Sequence, residues 1–529
     1  MERHLYTVAQ VRAIEGAAAA ALPAGTLMRR AGRAAADYAL ALLGELAGEQ
    51  PGEQPGQQPG EQPGAQRGET RGRPVLVLAG PGNNGGDALE TAANLAEAGV
   101  DATVLHLPGR REASSDTAAA YERARSGSVG WIDMLPPDAQ WTLVIDGLFG
   151  IGLERALDGE YRELVEGLAD LRCPVLALDL PSGLDGDTGT VIGPDGVAVR
   201  ATHTITFLAD KPGLHTADGR DHAGTVRVAT LDIDVGADID TTALPRATAQ
   251  RNDRALFAAR LEARRHNTHK GSFGDVAVVG GAHGMAGAPV LAARGALYAG
   301  AGRVFVAALG APPGYDASQP ELMFRAADDL DLAGRTLVIG PGMGDSANAI
   351  RLLAKALDGD SPVVLDADAL NLVGASPDLQ SRLARRSAPA ILTPHPLEGA
   401  RLLGMTAGVV QADRLEAARE MALRMNATVI LKGSGTIVAR PDGEVLVNPT
   451  GNPGLATPGS GDVLAGLCGA LLAQGWPAWE AAAAATWIHG AAADLLVEEG
   501  IGPIGLTAGE LPAAARRVLN RLVREEAAR

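Results

Sequence analysis

The 529-residue chain contains little lysine and few aromatic residues. Its lysines are Lys211, Lys270, Lys355 and Lys432, and arginine supplies the rest of its positive charge. Three of the four stand in loops beside Gly or Pro, which makes each of them a candidate for a specific role. Aromatic residues are only 3% of a chain that is 46% hydrophobic, so its cores must be built mainly from Ala, Val, Leu and Ile.

Cysteine is also scarce. Cys173 and Cys468 are far apart and have no histidine at metal-ligand spacing, which argues against a disulfide framework or zinc site and favours a reducing cytoplasm. A net charge of −17 argues against a nucleic-acid binder, because phosphate backbones are bound by Lys and Arg. The chain begins without a signal-peptide pattern, and its alanine runs at 17–21 and 481–485 are too short to span a membrane. We therefore expect a cytoplasmic protein with neither nucleic-acid nor membrane partners.

The pattern of apolar runs predicts two α/β domains, since 529 residues exceed what one core can hold. Strands that alternate with helices form parallel sheets covered on both faces. We predict two three-layer α/β/α domains, at 1–240 and 252–529, with a polar linker at 241–251. Buried strands are expected at 74–79, 101–107, 142–146, 174–179 and 203–208 in the first domain, and at 275–279, 303–308, 335–339, 362–366, 389–392 and 427–431 in the second.

A Pro-Gly-Glu-Gln repeat at 51–66 interrupts the first domain. It lies between a predicted helix at about 27–46 and the first buried strand. Because Pro and Gly occupy half of its positions, it can pack no core, and we expect a disordered insertion without chemistry of its own.

A glycine-rich segment at 448–462 is the strongest local signal of function. Its four glycines and three prolines exclude a helix or strand interior, and its end opens an apolar helix. A helix N-terminus preceded by glycines binds anions, and Asp462 stands where a base could meet the group that the anion activates. A plain turn is the alternative. The strand at 427–431 ends in Lys432 and a second glycine turn, and together these features favour a nucleotide site.

Polar residues follow three strands of the first domain. Asn84, Asp146 and Ser182 each come where a strand ends in a glycine-containing loop, and the ends of parallel strands are where open α/β sheets bind ligands. Singly, each motif is equally consistent with turn chemistry. Jointly they offer oxygen ligands with little charge, which suits a hard monovalent cation better than zinc.

With these motifs the chain resembles the bifunctional NAD(P)H-hydrate repair family over essentially its whole length outside the repeat. The epimerase half is matched by Leu27–Gly32, Asn83–Asp87, Asp146–Gly152 and Asp179–Leu184. The resemblance implies a Rossmann-like epimerase domain, potassium bound by Asn84, Asp146 and Ser182, and catalysis by Asp179. It also implies that the hydrated dinucleotide contacts Asn83, Asn84, Gly85, Gly86, Asp87, Gly150, Ile151, Gly152, Leu153, Glu154, Arg155, Ala156, Tyr161 and Asp179.

The second half resembles the ADP-dependent dehydratase of the ribokinase-like superfamily. The matching segments are Asn267–Gly274, Gly280–Pro289, Gly340–Gly344, Asp366–Asn371, Leu392–Glu398, Lys432–Thr436 and the glycine-rich segment. The resemblance implies that the hydrate contacts Ala288, Gly344, His395 and Asp462, with Asp462 catalytic. It implies that the nucleotide contacts Lys432, Gly433, Ser434, Gly435, Thr436 and Gly461. Ser460 stands where many relatives have Thr, a conservative change.

Several residues keep two interpretations. His395, between two prolines, is either a structural loop residue or part of the site. Lys270, beside Gly271, is either a surface charge or, as we favour, a phosphate contact. Asp366 and Asp368 are either metal-associated or caps of a helix start.

The resemblance implies two reactions: epimerisation of R- and S-NAD(P)H hydrate, and dehydration of the S form to NAD(P)H, with ADP consumed to AMP and phosphate. The partners would be the small molecules NADHX, NADPHX and ADP, with K⁺ and Mg²⁺ as cofactors, in a homo-oligomer. ATP as the donor stays open. The alternatives are a ribokinase-like small-molecule kinase fused to a dinucleotide-binding domain, and a regulatory binding module without turnover.

Overall fold

The computed structural model describes residues 3–48, 74–109, 114–136, 139–233 and 246–529. Two compact units divide the chain, unit 1 at Met1–Thr248 and unit 2 at Ala249–Arg529. The insertion predicted at 51–66 lies outside the described residues, as does the first part, 241–245, of the linker predicted at 241–251, whose last residues, Ala249–Arg251, form a strand.

Unit 1 alternates short strands with helices. Its strands are β1 His4–Leu5, β2 Val75–Ala79, β3 Ala102–His106, β4 Gly130–Ile132, β5 Leu143–Gly147, β6 Val175–Leu178, β7 His203–Phe207 and β8 Thr225–Ala229. Its helices are α1 Val8–Ala21, α2 Thr26–Gly48, α3 Asn83–Glu97, α4 Ser115–Ser126, α5 Gly159–Leu168 and α6 Gly219–His222, with a 3-10 helix at Pro212–Leu214. All five predicted strands are present, whereas β1, β4 and β8 were not predicted.

The main sheet of unit 1 has the order β4-β3-β2-β5-β6-β7-β8 and is parallel throughout. From β2 the chain adds β3 and β4 on one side and then returns to place β5 on the other side. The carboxyl ends of β2 and β5 therefore meet at the point where the strand order reverses, with Ala79 opposite Gly147. Open α/β sheets bind their ligands at such a point.

Both faces of this sheet are buried. Along β2, Val75, Val77 and Ala79 face a cluster that includes α1 to α4, whereas Leu76 and Leu78 face a second cluster that includes α5. A strand buried on both faces has no polar positions, which is why β2 reads as a continuous apolar run. Unit 1 is thus a three-layer α/β/α domain, which confirms the predicted fold class for this half.

Unit 2 is longer and follows the same alternation. Its strands are β9 Ala249–Arg251, β10 Asp275–Gly280, β11 Arg303–Ala308, β12 Met323–Ala326, β13 Thr336–Ile339, β14 Val363–Leu365, β15 Ala390–Leu392, β16 Thr428–Leu431, β17 Ile437–Ala439 and β18 Val445–Val447. Its helices are α7 Gly287–Tyr298, α8 Ala347–Asp358, α9 Asp368–Ala375, α10 Pro377–Ala384, α11 Pro396–Leu403, α12 Ala407–Ala412, α13 Arg414–Met425, α14 Ser460–Ala473, α15 Ala478–Glu498 and α16 Leu511–Ala527. Short 3-10 helices cover Arg254–Leu256, Ala258–Arg260, Lys270–Phe273, Ala327–Asp329 and Pro453–Leu455.

The strands of unit 2 lie in the order β9-β18-β17-β16-β15-β14-β13-β10-β11-β12. Strands β10 to β16 run parallel to one another, and β17 pairs antiparallel with both β16 and β18. The order reverses between β10 and β13, so the loops that follow these two strands meet. All six predicted strands are present, and the four missed ones, β9, β12, β17 and β18, have three or four residues each.

Helices α7, α14, α15 and α16 pack on one face of this sheet. Helix α14 is buried on nearly every side from Val463 to Leu472. Its glycines allow this, since a Cβ at Gly466 would lie 2.0 Å from the Ala292 carbonyl oxygen and one at Gly469 would lie 2.4 Å from Val338. Helices α8 to α13 pack on or beside the other face, giving the predicted three layers. Among the described helices, none combines the length and the apolar character needed to cross a bilayer.

Candidate active sites of the two units

In unit 1, the segment Asn83–Asp87 forms the first turn of α3 directly after β2, with Gly82 as the N-cap. A Cβ at Gly85 would lie 1.9 Å from the Gly80 carbonyl oxygen, and one at Gly86 would lie 2.5 Å from the Met28 methyl group. These glycines therefore let the helix start against the preceding loop. Because no side chain caps this N-terminus, its backbone N–H groups are available to an anion.

Asp146, at the end of β5, is fully buried and bonded to Ser182. The Ser182 hydroxyl donates to Asp146 Oδ1 at 2.7 Å, and the Ser182 backbone N–H donates to Oδ2 at 2.8 Å. Burial raises the pKa of Asp146 to about 6, although the bonds from Ser182 and Leu148 act in the opposite direction. No basic side chain of the described residues forms an ion pair with this carboxylate, which leaves room for a cation.

Asn84 supplies a further oxygen to this region. Its side-chain nitrogen donates to the Leu178 carbonyl at 3.1 Å, while its Oδ1 is buried without a hydrogen-bond partner among the described residues. Its side-chain carbon is 3.3 Å from the position of a Cβ on Gly150, so it lies beside the loop that begins at Asp146. An orphaned buried oxygen beside an unpaired buried carboxylate fits the predicted potassium set.

Asp179 follows β6 and reaches the loop predicted to bind substrate. Its Oδ2 accepts from the Ile151 backbone N–H at 3.1 Å and would lie 2.7 Å from a Cβ on Gly150. The rest of that predicted loop, through Ala156, continues toward α5. There the Tyr161 hydroxyl donates to the Leu107 carbonyl at 3.4 Å, and its ring packs edge-on against Phe149 with the centroids 4.9 Å apart.

Two charged residues of unit 1 received no role from the sequence. Lys211 is fully buried and bonded to Asp179. Glu15, on α1, lies within electrostatic range of Asp179, and burial followed by the charge of Asp179 raises its pKa. The same two causes, in the same order, raise the pKa of Asp87 well above its ordinary value. The scarcity of lysine was the signal that could have identified Lys211.

In unit 2, Lys432 connects the loops that follow β14, β15 and β16. Its Nζ donates to Asp366 Oδ1 at 2.9 Å and lies 3.9 Å from Glu398 Oε2. It also lies 3.0 Å from the position of a Cβ on Gly461, in the first turn of α14. The positive charge therefore stands at a helix N-terminus, where both features favour a phosphate group.

Asp462 is the next residue along α14. Burial raises its pKa to about 7, assisted by the negative charges of Asp366, Asp368 and Glu398 and opposed by Lys432. A carboxylate with a pKa near neutrality can accept a proton at physiological pH and still release it.

The segment 432–436 bends where its glycines require it. Gly433 and Gly435 have φ values of 139° and 59°, which other residues rarely adopt. The buried Arg414 guanidinium packs against Gly433. It donates to the carbonyls of Leu431 and Lys432, both at 3.3 Å. Arg414 thus supports the predicted nucleotide loop, and no sequence pattern indicated this role.

The predicted hydrate contacts of unit 2 lie on neighbouring loops. Ala288 stands in the first turn of α7, with its Cβ 3.4 Å from the position of a Cβ on Gly342. Gly344 donates its backbone N–H to Asp368 Oδ2 at 2.8 Å. His395 is the N-cap of α11, where its Nδ1 accepts from the backbone of Leu397 at 3.1 Å. His395 therefore has a structural role, and its half-exposed ring leaves a substrate contact open.

The remaining ambiguous residues fall into two groups. Asp366 and Asp368 do not cap α9, whose N-cap is Ala367 without a side-chain bond; they bond Lys432 and Gly344 instead. Lys270 is exposed and lies beside Gly302, at the amino ends of β10 and β11. The structure therefore does not bring Lys270 to the site at the carboxyl ends of these strands.

Asp494, on α15, holds the glycine-rich segment in place. Its carboxylate accepts from the Gly451 backbone N–H at 2.8 Å and from the Asn452 side chain at 2.9 Å. Ser460 donates its hydroxyl to the Leu455 carbonyl at 2.8 Å, which closes the turn before α14. Hydrogen bonds to Asp494 therefore hold the glycine-rich segment near Gly451, and the bond from Ser460 holds its last turn.

Two protein-family models match the chain. Residues 276–512 match the model described as NAD(P)H-hydrate dehydratase, and residues 24–213 match the model described as YjeF-related protein N-terminus. The two matched regions fall in unit 2 and unit 1, respectively, and each contains the site described above.

Similar proteins include the bifunctional NAD(P)H-hydrate repair enzyme Nnr of Coxiella burnetii, 37% identical over 84% of this chain and 90% of that protein. The ADP-dependent (S)-NAD(P)H-hydrate dehydratase of Neisseria meningitidis is 50% identical over 50% of this chain and 91% of its own. Among solved structures, the ADP/ATP-dependent NAD(P)H-hydrate dehydratase of Bacillus subtilis is 30% identical, covering 51% of this chain and 98% of its own with a TM-score of 0.45.

Proposed function

The chain belongs to the family of bifunctional NAD(P)H-hydrate repair enzymes, and we propose from its two sites how each of its reactions is performed. It is an enzyme that epimerises NAD(P)H hydrates and dehydrates the S form in an ADP-dependent reaction. The observation that carries the dehydration mechanism is the position of Asp462, with a pKa near 7, beside Gly461 and the Lys432 ammonium.

Dehydration must remove a ring hydroxyl, and hydroxide is a poor leaving group at neutral pH. Asp462 takes the proton of this hydroxyl. At the same time the hydroxyl oxygen of the hydrate attacks the terminal phosphorus of ADP, and AMP leaves. The N-terminus of α14 and the Lys432 ammonium stabilise the negative charge of the phosphoryl group in transfer. The ring nitrogen then expels phosphate, and loss of a ring proton restores NAD(P)H.

The binding residues follow from the same arrangement. The nucleotide lies along 432–436 and Gly461, because the glycines bend this segment, Lys432 adds a positive charge, and Gly461 stands in the first turn of α14. The hydrate lies against Ala288, Gly344 and His395, whose loops follow β10, β13 and β15. This placement sets the hydroxyl of the hydrate beside Asp462.

We propose that Mg²⁺ enters with the nucleotide. The described residues contain no group of three or more His, Cys, Asp or Glu side chains that could hold a metal ion alone. Mg²⁺ commonly binds to one or two carboxylates plus substrate phosphates. The carboxylates beside Lys432, those of Asp366 and Glu398, are the groups that could complete its coordination, and the bound ion would neutralise part of the phosphate charge.

Epimerisation requires that the hydroxyl leave one face of the ring and return to the other. The ring nitrogen expels the hydroxyl, which Asp87 protonates to water, and a carbon–nitrogen double bond forms. Water then adds to the opposite face and gives its proton to Asp179, while the double-bond electrons return to nitrogen. Asp87, whose pKa is raised by burial and by Asp179, is suited to the acid role, and Asp179 to the base role.

Potassium would be held by Asn84, Asp146 and Ser182. The unpartnered Asn84 Oδ1 and the buried Asp146 carboxylate fit such an ion. When bound, K⁺ supplies positive charge that offsets the buried Asp146 carboxylate and fixes the loop 146–152. A homo-oligomeric state and a cytoplasmic location remain predictions, the latter consistent with the free thiols of Cys173 and Cys468.

The test supplies the purified protein with the R hydrate alone, with or without ADP. With ADP, we expect reduced-nicotinamide absorbance to return and AMP to accumulate in equal amount, because the chain first makes the S form. Without ADP, only the R to S conversion should occur, measured by chromatography. If no S hydrate is produced, the epimerase proposal is contradicted. A stable phosphorylated product would indicate a small-molecule kinase instead.

A further inference from the structure

Lys211 is the buried lysine of unit 1, with no exposed surface at all. It lies four residues beyond the end of β7, and its Nζ donates to Asp179 Oδ1 at 2.6 Å, to Thr206 Oγ1 at 2.7 Å and to the Phe207 carbonyl at 3.1 Å. An ammonium group has three N–H donors, so all of them are in use. Such a buried charge is costly unless it is fully paired, and its presence calls for a function beyond filling space.

Asp179 is fixed from two sides. Its Oδ1 faces Lys211, while its Oδ2 accepts from the Ile151 backbone N–H and leaves no space for a Cβ on Gly150. Its own φ of 65° is left-handed, which is uncommon for aspartate and costs free energy. This conformation persists because the partners on both sides define it, and it directs Oδ2 to the predicted substrate loop.

The surroundings of Asp179 are otherwise acidic. Glu15 on α1 and Asp87 on α3 both lie within electrostatic range, and the charge of Asp179 contributes to raising the pKa of each. Lys211 has the opposite effect on Glu15, as has Arg12, whose guanidinium donates to the Ile151 carbonyl at 3.0 Å. Without Lys211, three carboxyl groups would share this region with one half-exposed guanidinium.

We propose that Lys211 is a positioning residue for epimerisation, which holds the Asp179 carboxylate with Oδ2 directed at the substrate loop. Asp179 then receives the proton of the water that adds to the ring, as in the epimerase step above. Lys211 contacts neither the substrate nor the reacting atoms, and acts only through Asp179. This inference rests on the proposed epimerase mechanism and adds to it the residue that orients the base.

The main test replaces Lys211 by Met, which keeps the length of the side chain and removes its charge. We expect kcat for epimerisation of the R hydrate to fall about 10²-fold, the scale of a displaced general base, while KM changes by less than about threefold. Lys355→Met, at an exposed position on α8, is the matched control and should match wild type. A wild-type kcat in a folded Lys211→Met protein would overturn the inference, as would a loss confined to KM.

A second variant covers the case in which Lys211→Met does not fold. Thr206→Val keeps the shape of a buried side chain, removes one of the three acceptors of Lys211, and also removes the bond that the Thr206 hydroxyl donates to Asp179 Oδ1 at 3.4 Å. We expect kcat to fall about tenfold with KM unchanged, because the ammonium loses one restraint. A wild-type kcat in Thr206→Val would contradict the inference.

The outcome separates this inference from the proposed mechanism. If the wild-type protein does not epimerise the R hydrate, the epimerase proposal itself fails. If wild type is active, Asp179→Asn is inactive and Lys211→Met equals wild type, the mechanism stands and only the role of Lys211 is wrong.

Discussion

Each unit pairs one of the few lysines with a carboxylate, yet the two pairs are connected differently. In unit 1, Lys211 bonds the proposed base, Asp179, directly at 2.6 Å. In unit 2, Lys432 bonds Asp366 at 2.9 Å. The proposed base there is a different residue, Asp462, whose pKa is raised to about 7. An ammonium bonded to the base orients it, whereas an ammonium bonded to a neighbour leaves the base free to be tuned toward neutrality.

The two sites also differ in what surrounds the base. In unit 2, the carboxylates of Asp366, Asp368, Glu398 and Asp462 lie near the N-terminus of α14 and near one lysine, Lys432. This arrangement suits transfer of a phosphoryl group. In unit 1, the site contains carboxylates, the glycine-containing loop 146–152, and the Asn84 side-chain oxygen, which has no hydrogen-bond partner among the described residues. This arrangement suits proton transfer beside a bound cation. We therefore expect that a substitution in one site can abolish its reaction and leave the reaction of the other site unchanged.

The largest effect is expected from Asp462→Asn, which removes the proposed base of unit 2 alone. Dehydration of the S hydrate should fall about 10³-fold, while epimerisation stays at the wild-type rate. The assay follows reduced nicotinamide and AMP for dehydration, and chromatography for epimerisation. Asp360→Asn, in an exposed turn, is the control. A parallel loss of both activities would contradict the separation of the two sites.

The next effect is on pH dependence. Because the raised pKa keeps Asp462 protonated below about pH 7, kcat/KM for dehydration should fall about tenfold for each unit below that value. Asp368→Asn removes a charge that raises this pKa, so the acid limb should move to lower pH. Rates measured on the S hydrate across pH check both points, and a limb that is flat through pH 7 would disprove the role of Asp462.

A smaller effect is expected at the loop beside Asp179. Gly150→Ala places a Cβ 2.7 Å from Asp179 Oδ2, so the carboxylate must shift, and kcat for epimerisation should fall about tenfold. Gly167→Ala, on α5 and outside the predicted substrate contacts, has open space around its Cβ and is the matched control. Equal rates for the two variants would show that the position of Asp179 is not critical.

The smallest effect concerns potassium and the stability of unit 1. At ten times its Kd, K⁺ should stabilise the native state by about 1.4 kcal/mol and raise Tm by about 4 °C. Asn84→Ala removes a proposed ligand and should abolish this rise, whereas the unfolding of unit 2 should not respond to K⁺. Thermal unfolding in KCl against LiCl measures the shift, and an equal shift in wild type and Asn84→Ala would exclude Asn84 as a ligand.

Much of the fold could be predicted because its strands are buried on both faces. Runs such as Val75–Ala79 and Thr428–Leu431 have no polar position, so their pattern is independent of their neighbours. Strands such as Ile437–Ala439 and Val445–Val447 were missed, although Val363–Leu365, of the same length, was predicted, and pairing in the sheet defines them. Helix α3 begins at Asn83 with Gly85 and Gly86 in its first turn, although glycines usually end helices unless close packing requires them.

The sites divide in the same way. The motifs 83–87, 146–152 and 448–462 were visible as glycine and carboxylate patterns, and their binding roles remain proposals to be tested. Lys211, Glu15 and Arg414 were not assigned, because their partners are chosen by packing over long distances in the chain. Lys270 looked like a site residue by composition, yet the sheet carries it to the amino ends of its strands.

The α/β class and the family could be predicted from the sequence alone, because local apolar runs and glycine turns depend on near neighbours, and the loops expected to carry chemistry stay a prediction. Only the tertiary structure decided the strand orders that bring β2 to β5 and β10 to β13. It also decided that Lys211 meets Asp179, 32 residues away, and that Lys432 meets Asp366, 66 residues away. Such pairs form only when the sheet closes around them, since burial makes an unpaired charge too costly to keep.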